Sequence, residues 1–122
     1  MQKFMLIIKE DLAELARAGD TERYRKMRVM MAWVESLHES VSYLGGEPLE
    51  VTRKYVTKDQ VISDGPFIEA KEGITGYMMI NAENLEQAAA IAQSCPLVQL
   101  DQMSIEVSPV LSTNIPIENG QS

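Results

Sequence analysis

The chain has 122 residues, 45% hydrophobic and 24% charged, which fits one globular domain with a single two-layer core. Eleven Lys and Arg against 18 Asp and Glu leave a net charge of −7, the wrong sign for a protein that neutralises phosphates, so direct nucleic-acid binding is not expected. A single cysteine, Cys95, excludes an internal disulfide, no apolar run approaches the ~20 residues of a membrane span, and the start of the chain is too short for a secretory h-region. The expected setting is cytoplasmic, without membrane contact.

Phe4 to Ile8 is a continuous apolar run between Lys3 and Lys9, the pattern of a central strand buried on both faces. Glu10 to Asp20 is a polar, Ala-rich connection with a short helical turn. Thr21 is the expected N-cap of a long helix whose buried face carries Met27, Met30, Val34, Leu37 and Val41, with Arg28, Glu35, Glu39 and Ser42 opposite. Tyr43-Leu44-Gly45-Gly46 is expected to stop that helix. Val51 to Thr57 and Gln60 to Ser63 read as a hairpin turning at Lys58-Asp59. Asp64-Gly65-Pro66 opens a loop that runs to Gly73, and Gly76 to Ile80 is a second two-sided strand. Asn84 caps a second helix with Gln87 three residues on, and Leu85, Ala88, Ile91, Ala92 and Cys95 form its buried stripe until Pro96 ends it. Met103, Ile105 and Val107 alternate with Ser104, Glu106 and Ser108 as a half-buried last strand. Pro116, Gly120 and the lack of periodicity make residues 112–122 a tail, flexible or draped on a partner subunit.

The order β-α-β-β-β-α-β predicts an α+β ferredoxin-like sandwich with both helices on one sheet face. Two strands with apolar residues on both sides leave the other face uncovered. A hydrophobic face of several hundred Å² is an association surface, so the expected partner is a second copy packed sheet to sheet.

Val61-Ile62-Ser63-Asp64-Gly65-Pro66-Phe67-Ile68-Glu69-Ala70-Lys71-Glu72, followed by Gly76-Tyr77, resembles the YCII-related (DGPF-type) family. Supporting pieces are Lys3 to Ile7, Gly45-Gly46-Glu47-Pro48-Leu49, Ala92-Gln93-Ser94-Cys95-Pro96 and Ile105 to Val110. Together they define a domain over residues 1–111 and leave 112–122 outside. The resemblance implies a dimeric α+β barrel built from a ferredoxin-like sandwich, in small bacterial cytoplasmic proteins, some encoded near or fused to sigma factors. For some members it also implies a His and Asp pair in a cleft. Here the only histidine, His38, falls in no motif shared with a family histidine, and Ser108 stands where close relatives are expected to carry a basic residue.

Asp64 is the first candidate catalytic residue. Gly65-Pro66 presents it on a rigid turn, where it is either a general acid or base or the acceptor of an Asx-type turn. Lys71 is the second candidate, polarising a substrate oxygen with Glu69 or Glu72 tuning the amine; the bland reading is a solvated ion-pair patch. Phe67, Glu69, Tyr77 and His38 are candidate ligand-binding residues. For Phe67 and Tyr77 the alternative is core anchoring, and for His38 it is a boundary position on the helix. Arg23, Arg25, Lys26 and Arg28 either steer an anionic or acidic partner or form a solvated helix start paired with Asp20 and Glu22. Cys95 reads as a small core residue and the eight methionines as adaptable packing. No spacing of His and Cys suits a metal, and neither a GxGxxG nor a Walker pattern is present, so no cofactor and no metal are expected.

Three functions follow from this reading. The first is a cofactor-independent isomerase, lyase or hydrolase of a small polar metabolite, with Asp64 as acid or base. The second is a non-catalytic ligand-binding or regulatory dimer, and the third is a protein-interaction module linked to transcription regulation.

Overall fold

A computed structural model describes residues 1–40, 42–63 and 72–112. The expectations for Val41, for Asp64 to Lys71 and for residues 113–122 lie outside the described residues. In chain order the elements are β1 (Gln2–Glu10), α1 (Leu12–Arg17), α2 (Asp20–Ser40), β2 (Ser42–Pro48), β3 (Lys54–Val56), β4 (Val61–Ser63), β5 (Gly73–Ala82), α3 (Leu85–Gln93), α4 (Pro96–Gln99) and β6 (Ser104–Pro109).

Four strands form an antiparallel sheet in the order β2-β5-β1-β6, so the two apolar strands occupy the centre as their composition requires. Phe4, Leu6 and Ile8 of β1 and Met78, Ile80 and Ala82 of β5 point to one face. There they pack with Trp33 and Leu37 of α2, Ala88 and Ala92 of α3, Cys95 and Leu97. Phe4, Leu6 and Ile80 are fully buried, and each side chain removed from water in this way contributes about 1.5–3 kcal/mol relative to exposure. Successive residues of a strand alternate faces, so Met5, Ile7, Tyr77 and Met79, all half-buried, point away from the helices.

The hairpin expected between residues 51 and 63 exists, with Lys54 opposite Ser63 and Val56 opposite Val61. It forms a separate two-stranded sheet, and the strand that completes the main sheet is β2. Tyr43 to Gly46, expected to stop the long helix, is therefore the body of a strand. Leu44 is its bulged residue, Gly45 there has a φ of +137°, and Gly46 pairs with Met78.

Other local expectations are corrected at the level of single residues. Helix α2 begins at Asp20 with the Gly19 carbonyl accepting from the Arg23 amide, so Thr21 lies inside the helix and is not its cap. Its buried face is carried by Trp33 and Leu37, with Val29, Met30 and Val34 beside them, whereas Met27 is 51% exposed. The Trp33 indole N–H donates to Ser94 Oγ at 3.1 Å, which gives this large side chain a polar partner at the edge of the core.

In α3 the Asn84 cap is observed: its side chain accepts from the Gln87 amide at 2.8 Å while Gln87 Oε1 accepts from the Glu83 amide at 2.6 Å. Leu85 is exposed. Pro96 does not simply end the helical region, because it opens α4, whose Leu97 is fully buried. Among the described residues no helix is long and apolar enough to cross a membrane.

Candidate functional site

Strand β1 carries its apolar run into two charged residues, Lys9 and Glu10, at the end of the sheet. A bulge shapes this end. Ile8 pairs with Gly76 and Lys9 with Ile74, so Thr75 of β5 is the extra residue. Only 8% of Thr75 is exposed; its hydroxyl donates to Glu10 Oε2 and its carbonyl accepts the Leu49 amide at 2.9 Å. Lys26, in the second turn of α2, donates to Glu10 Oε1 at 3.1 Å. Both carboxylate oxygens of Glu10 are thus engaged, as a largely buried charge requires. On the neighbouring strand Glu106 accepts from Lys9 Nζ at 2.7 Å. That bond and the Glu106 charge hold the Lys9 ammonium above the ordinary lysine value, with Glu72 adding to the effect.

Lys9, Glu10, Lys26 and Glu72 border a cleft of about 420 Å³ between the end of β1, the start of α2 and the approach to β6, where Met103 and Gln102 complete the wall. A second cavity of about 370 Å³ lies under the hairpin, lined by Leu12, Arg53, Lys54, Tyr55, Gly73 and Ile74. Glu72 borders both. Ser63, at the end of β4, accepts through its hydroxyl from Lys54 Nζ at 2.7 Å. In sequence, residues 64–71 lie between Ser63 and Glu72.

Asp64, Phe67, Glu69 and Lys71 themselves lie outside the described residues. Tyr77 is half-buried in β5, opposite Ile7 and Glu47 on the face away from the helices. His38 is exposed near the Ser40 end of α2, its ring 6.0 Å from that of Tyr43. Burial pushes the Tyr43 phenol up, with Glu47 and Tyr77 reinforcing the shift. Neither His38 nor Tyr77 borders either cavity, and the structure does not bring the two together.

The basic start of α2 is largely paired. Arg23 faces Asp20 at 3.9 Å, Arg25 meets Glu22 at 2.5 Å and also donates to Gln102 Oε1 at 3.0 Å, and Lys26 holds Glu10. Hydrogen bonding from Arg25 keeps the Glu22 carboxyl below the usual carboxylate range. This is the arrangement of a solvated helix start.

Glu10 and Thr75 carry the site's polar geometry together with Lys26 and were not singled out from the sequence, whereas Lys26 was read only as part of the basic helix start and Glu72 only as tuning Lys71. A signal existed for Glu10: a carboxylate two residues past the apolar run Phe4 to Ile8 ends the central strand and so sits at the mouth of the sheet. For Thr75, and for the pairing of Lys26 with Glu10, there was none, because the helix approach and the bulge that bring Lys26 and Thr75 to Glu10 span 16 and 65 residues respectively. Among the described residues no group of three or more His, Cys, Asp and Glu side chains is placed to hold a metal.

Among solved structures the chain is similar to 5-chloro-2-hydroxyhydroquinone dehydrochlorinase (TftG) from Burkholderia phenoliruptrix AC1100, determined in complex with 2,5-dihydroxybenzoquinone. The two are 16% identical with a TM-score of 0.52, over 90% of this chain and 95% of that one. At that identity the likeness concerns the fold, the ferredoxin-like sandwich of dimeric α+β barrel proteins. No curated protein matches the chain. A YCII-related domain matches residues 2–112, a span that takes in every described element and the Asp-Gly-Pro-Phe sequence, and the chain belongs to the YCII-related family.

Proposed function

We propose that the protein is a cytoplasmic homodimer that binds a small polar metabolite in the charged cleft beside the Asp-Gly-Pro-Phe turn. It acts there by proton transfer, as an isomerase, lyase or hydrolase, with Asp64 as acid or base and Lys71 polarising a substrate oxygen. Phe67 and Glu69 contact the ligand from the turn, residues 1–111 form the functional domain, and residues 112–122 are a tail. The observation that carries this reading is the position of the two described residues that flank positions 64–71 in the chain. Glu72 borders both cavities and Ser63 is tied to Lys54, which lines one of them. To serve as a general base Asp64 needs a pKa raised toward working pH, which burial supplies. TftG adds support from outside: it is a dehydrochlorinase of this fold in complex with a small hydroxylated ring.

The test is a thermal-shift and turnover screen of wild type, Asp64→Asn and Glu72→Gln with 2,5-dihydroxybenzoquinone and a panel of small hydroxylated and acidic metabolites. A ligand about a hundredfold above its Kd adds about 2.7 kcal/mol of stability, several degrees for a domain of this size. Asp64→Asn is expected to keep binding and to lose turnover by about a hundredfold or more. Saturable binding by the wild type without turnover selects the non-catalytic regulatory dimer. Binding and turnover that neither substitution changes move the site away from the Asp-Gly-Pro-Phe sequence.

A further inference from the structure

Three sulfur atoms converge beside the cleft. Cys95 Sγ lies 3.6 Å from Met30 Sδ and 4.0 Å from Met103 Sδ. They come from three separate parts of the chain: Met30 from α2, Cys95 from the junction of α3 and α4, and Met103 from the residue before β6. Cys95 is fully buried and the two methionines are half-buried. Met103 also borders the 420 Å³ cleft, so the cluster is one side chain away from solvent.

One thiol and two thioethers are soft donors, which favour monovalent copper and its analogue silver over hard cations. The two spacings from the thiol, 3.6 and 4.0 Å, suit such an ion: three metal–sulfur bonds of about 2.3 Å set at 120° hold neighbouring sulfurs about 4.0 Å apart. The charge suits it as well. A thiolate with a monovalent cation is a neutral unit that can be buried, whereas a divalent ion on the same three sulfurs leaves a buried positive charge.

We propose that Cys95, Met30 and Met103 form a three-coordinate site for a monovalent soft cation, Cu(I) or Ag(I). Binding breaks the Cys95 S–H bond, forms one metal–thiolate and two metal–thioether bonds, and releases one proton to solvent; no group is oxidised or reduced. The site does not depend on the role proposed for Asp64.

The experiment is an anaerobic competition titration of the whole protein with Cu(I) held by bicinchoninate, using wild type, Cys95→Ala, Met30→Leu and Met103→Leu. Leucine conserves the volume of methionine and removes only its sulfur, and circular dichroism confirms that each variant is folded. One Cu(I) per chain is expected, with binding lost in Cys95→Ala and weakened at least tenfold in each leucine variant. X-ray absorption of the copper-loaded wild type is expected to show three sulfur scatterers at about 2.3 Å. The proposal is overturned if the wild type takes up no Cu(I), if Cys95→Ala still binds it, if the leucine variants bind as tightly as the wild type, or if fewer than three sulfurs surround the metal.

Discussion

An added methyl group at Gly46 would sit 2.3 Å from the Tyr77 carbonyl oxygen and 2.8 Å from Met78 Cα, both backbone atoms of the adjoining central strand. Neither can retreat without moving β5, which is itself locked to β1. Gly46→Ala is therefore expected to destabilise the protein by about 1–3 kcal/mol or more in urea unfolding. Gly19→Ala, where nothing lies within 4 Å of the added carbon, is expected to stay within about 0.5 kcal/mol of wild type. Equal losses at the two positions would show that steric approach is not what selects glycine at 46. The same residue explains one misreading of the sequence. Two adjacent glycines after a helical stripe are a common helix stop, and only the pairing with Met78 and Met79, more than thirty residues away, shows that they allow a strand to bulge and to approach closely. Trp33 was missed for a related reason: the methionine-rich stripe could be drawn through Met27, and which side of α2 meets the sheet is decided by tertiary packing, not by spacing alone.

At the scale of elements, the hairpin β3–β4 is an insertion between the second and third strands of a ferredoxin-like sheet, and side-chain anchors help to hold it to the body. The Arg53 guanidinium donates to the Ile74 carbonyl on β5 and to the Glu50 carbonyl, while the Leu49 amide bonds to Thr75. Alternation of β-prone residues made the hairpin itself legible, yet local pattern carries no information on which sheet a hairpin joins. The anchoring yields a local expectation. Arg53→Met removes a charge-assisted bond at a partly exposed position, worth about 1 kcal/mol, so amide exchange within Lys54–Val56 and Val61–Ser63 should quicken about fivefold. Exchange in β1 and β5 should not change. Equal acceleration throughout the main sheet would mean that Arg53 supports the whole fold and not the hairpin.

For the whole molecule, the legible feature was the pair of apolar strands whose side chains point both ways, since this predicts both a central place in the sheet and a second face in need of cover. The first half is observed. The cleft was not legible, because it arises where a strand end, a bulge and a helix start meet, and each of these looks ordinary in its own segment. The second half leads to the dimer. Helices α2, α3 and α4 cover one face, and Met5, Ile7, Tyr77 and Met79 form an apolar centre on the other, with the Lys9–Glu106 ion pair at its margin. A two-fold interface places each of these side chains twice, and a stable one buries more than about 1,000 Å² in total. Sedimentation equilibrium at micromolar concentration is expected to give twice the chain mass of 13.6 kDa. Ile7→Glu puts two like charges into the middle of such an interface while its side chain in a lone subunit still reaches water. It is therefore expected to weaken association by a hundredfold or more with the near-ultraviolet dichroism of the fold retained. A wild-type protein that sediments as a 13.6 kDa monomer would remove the dimer from the proposed function and leave Tyr77 facing solvent, in which case any site must be completed by the residues of one chain.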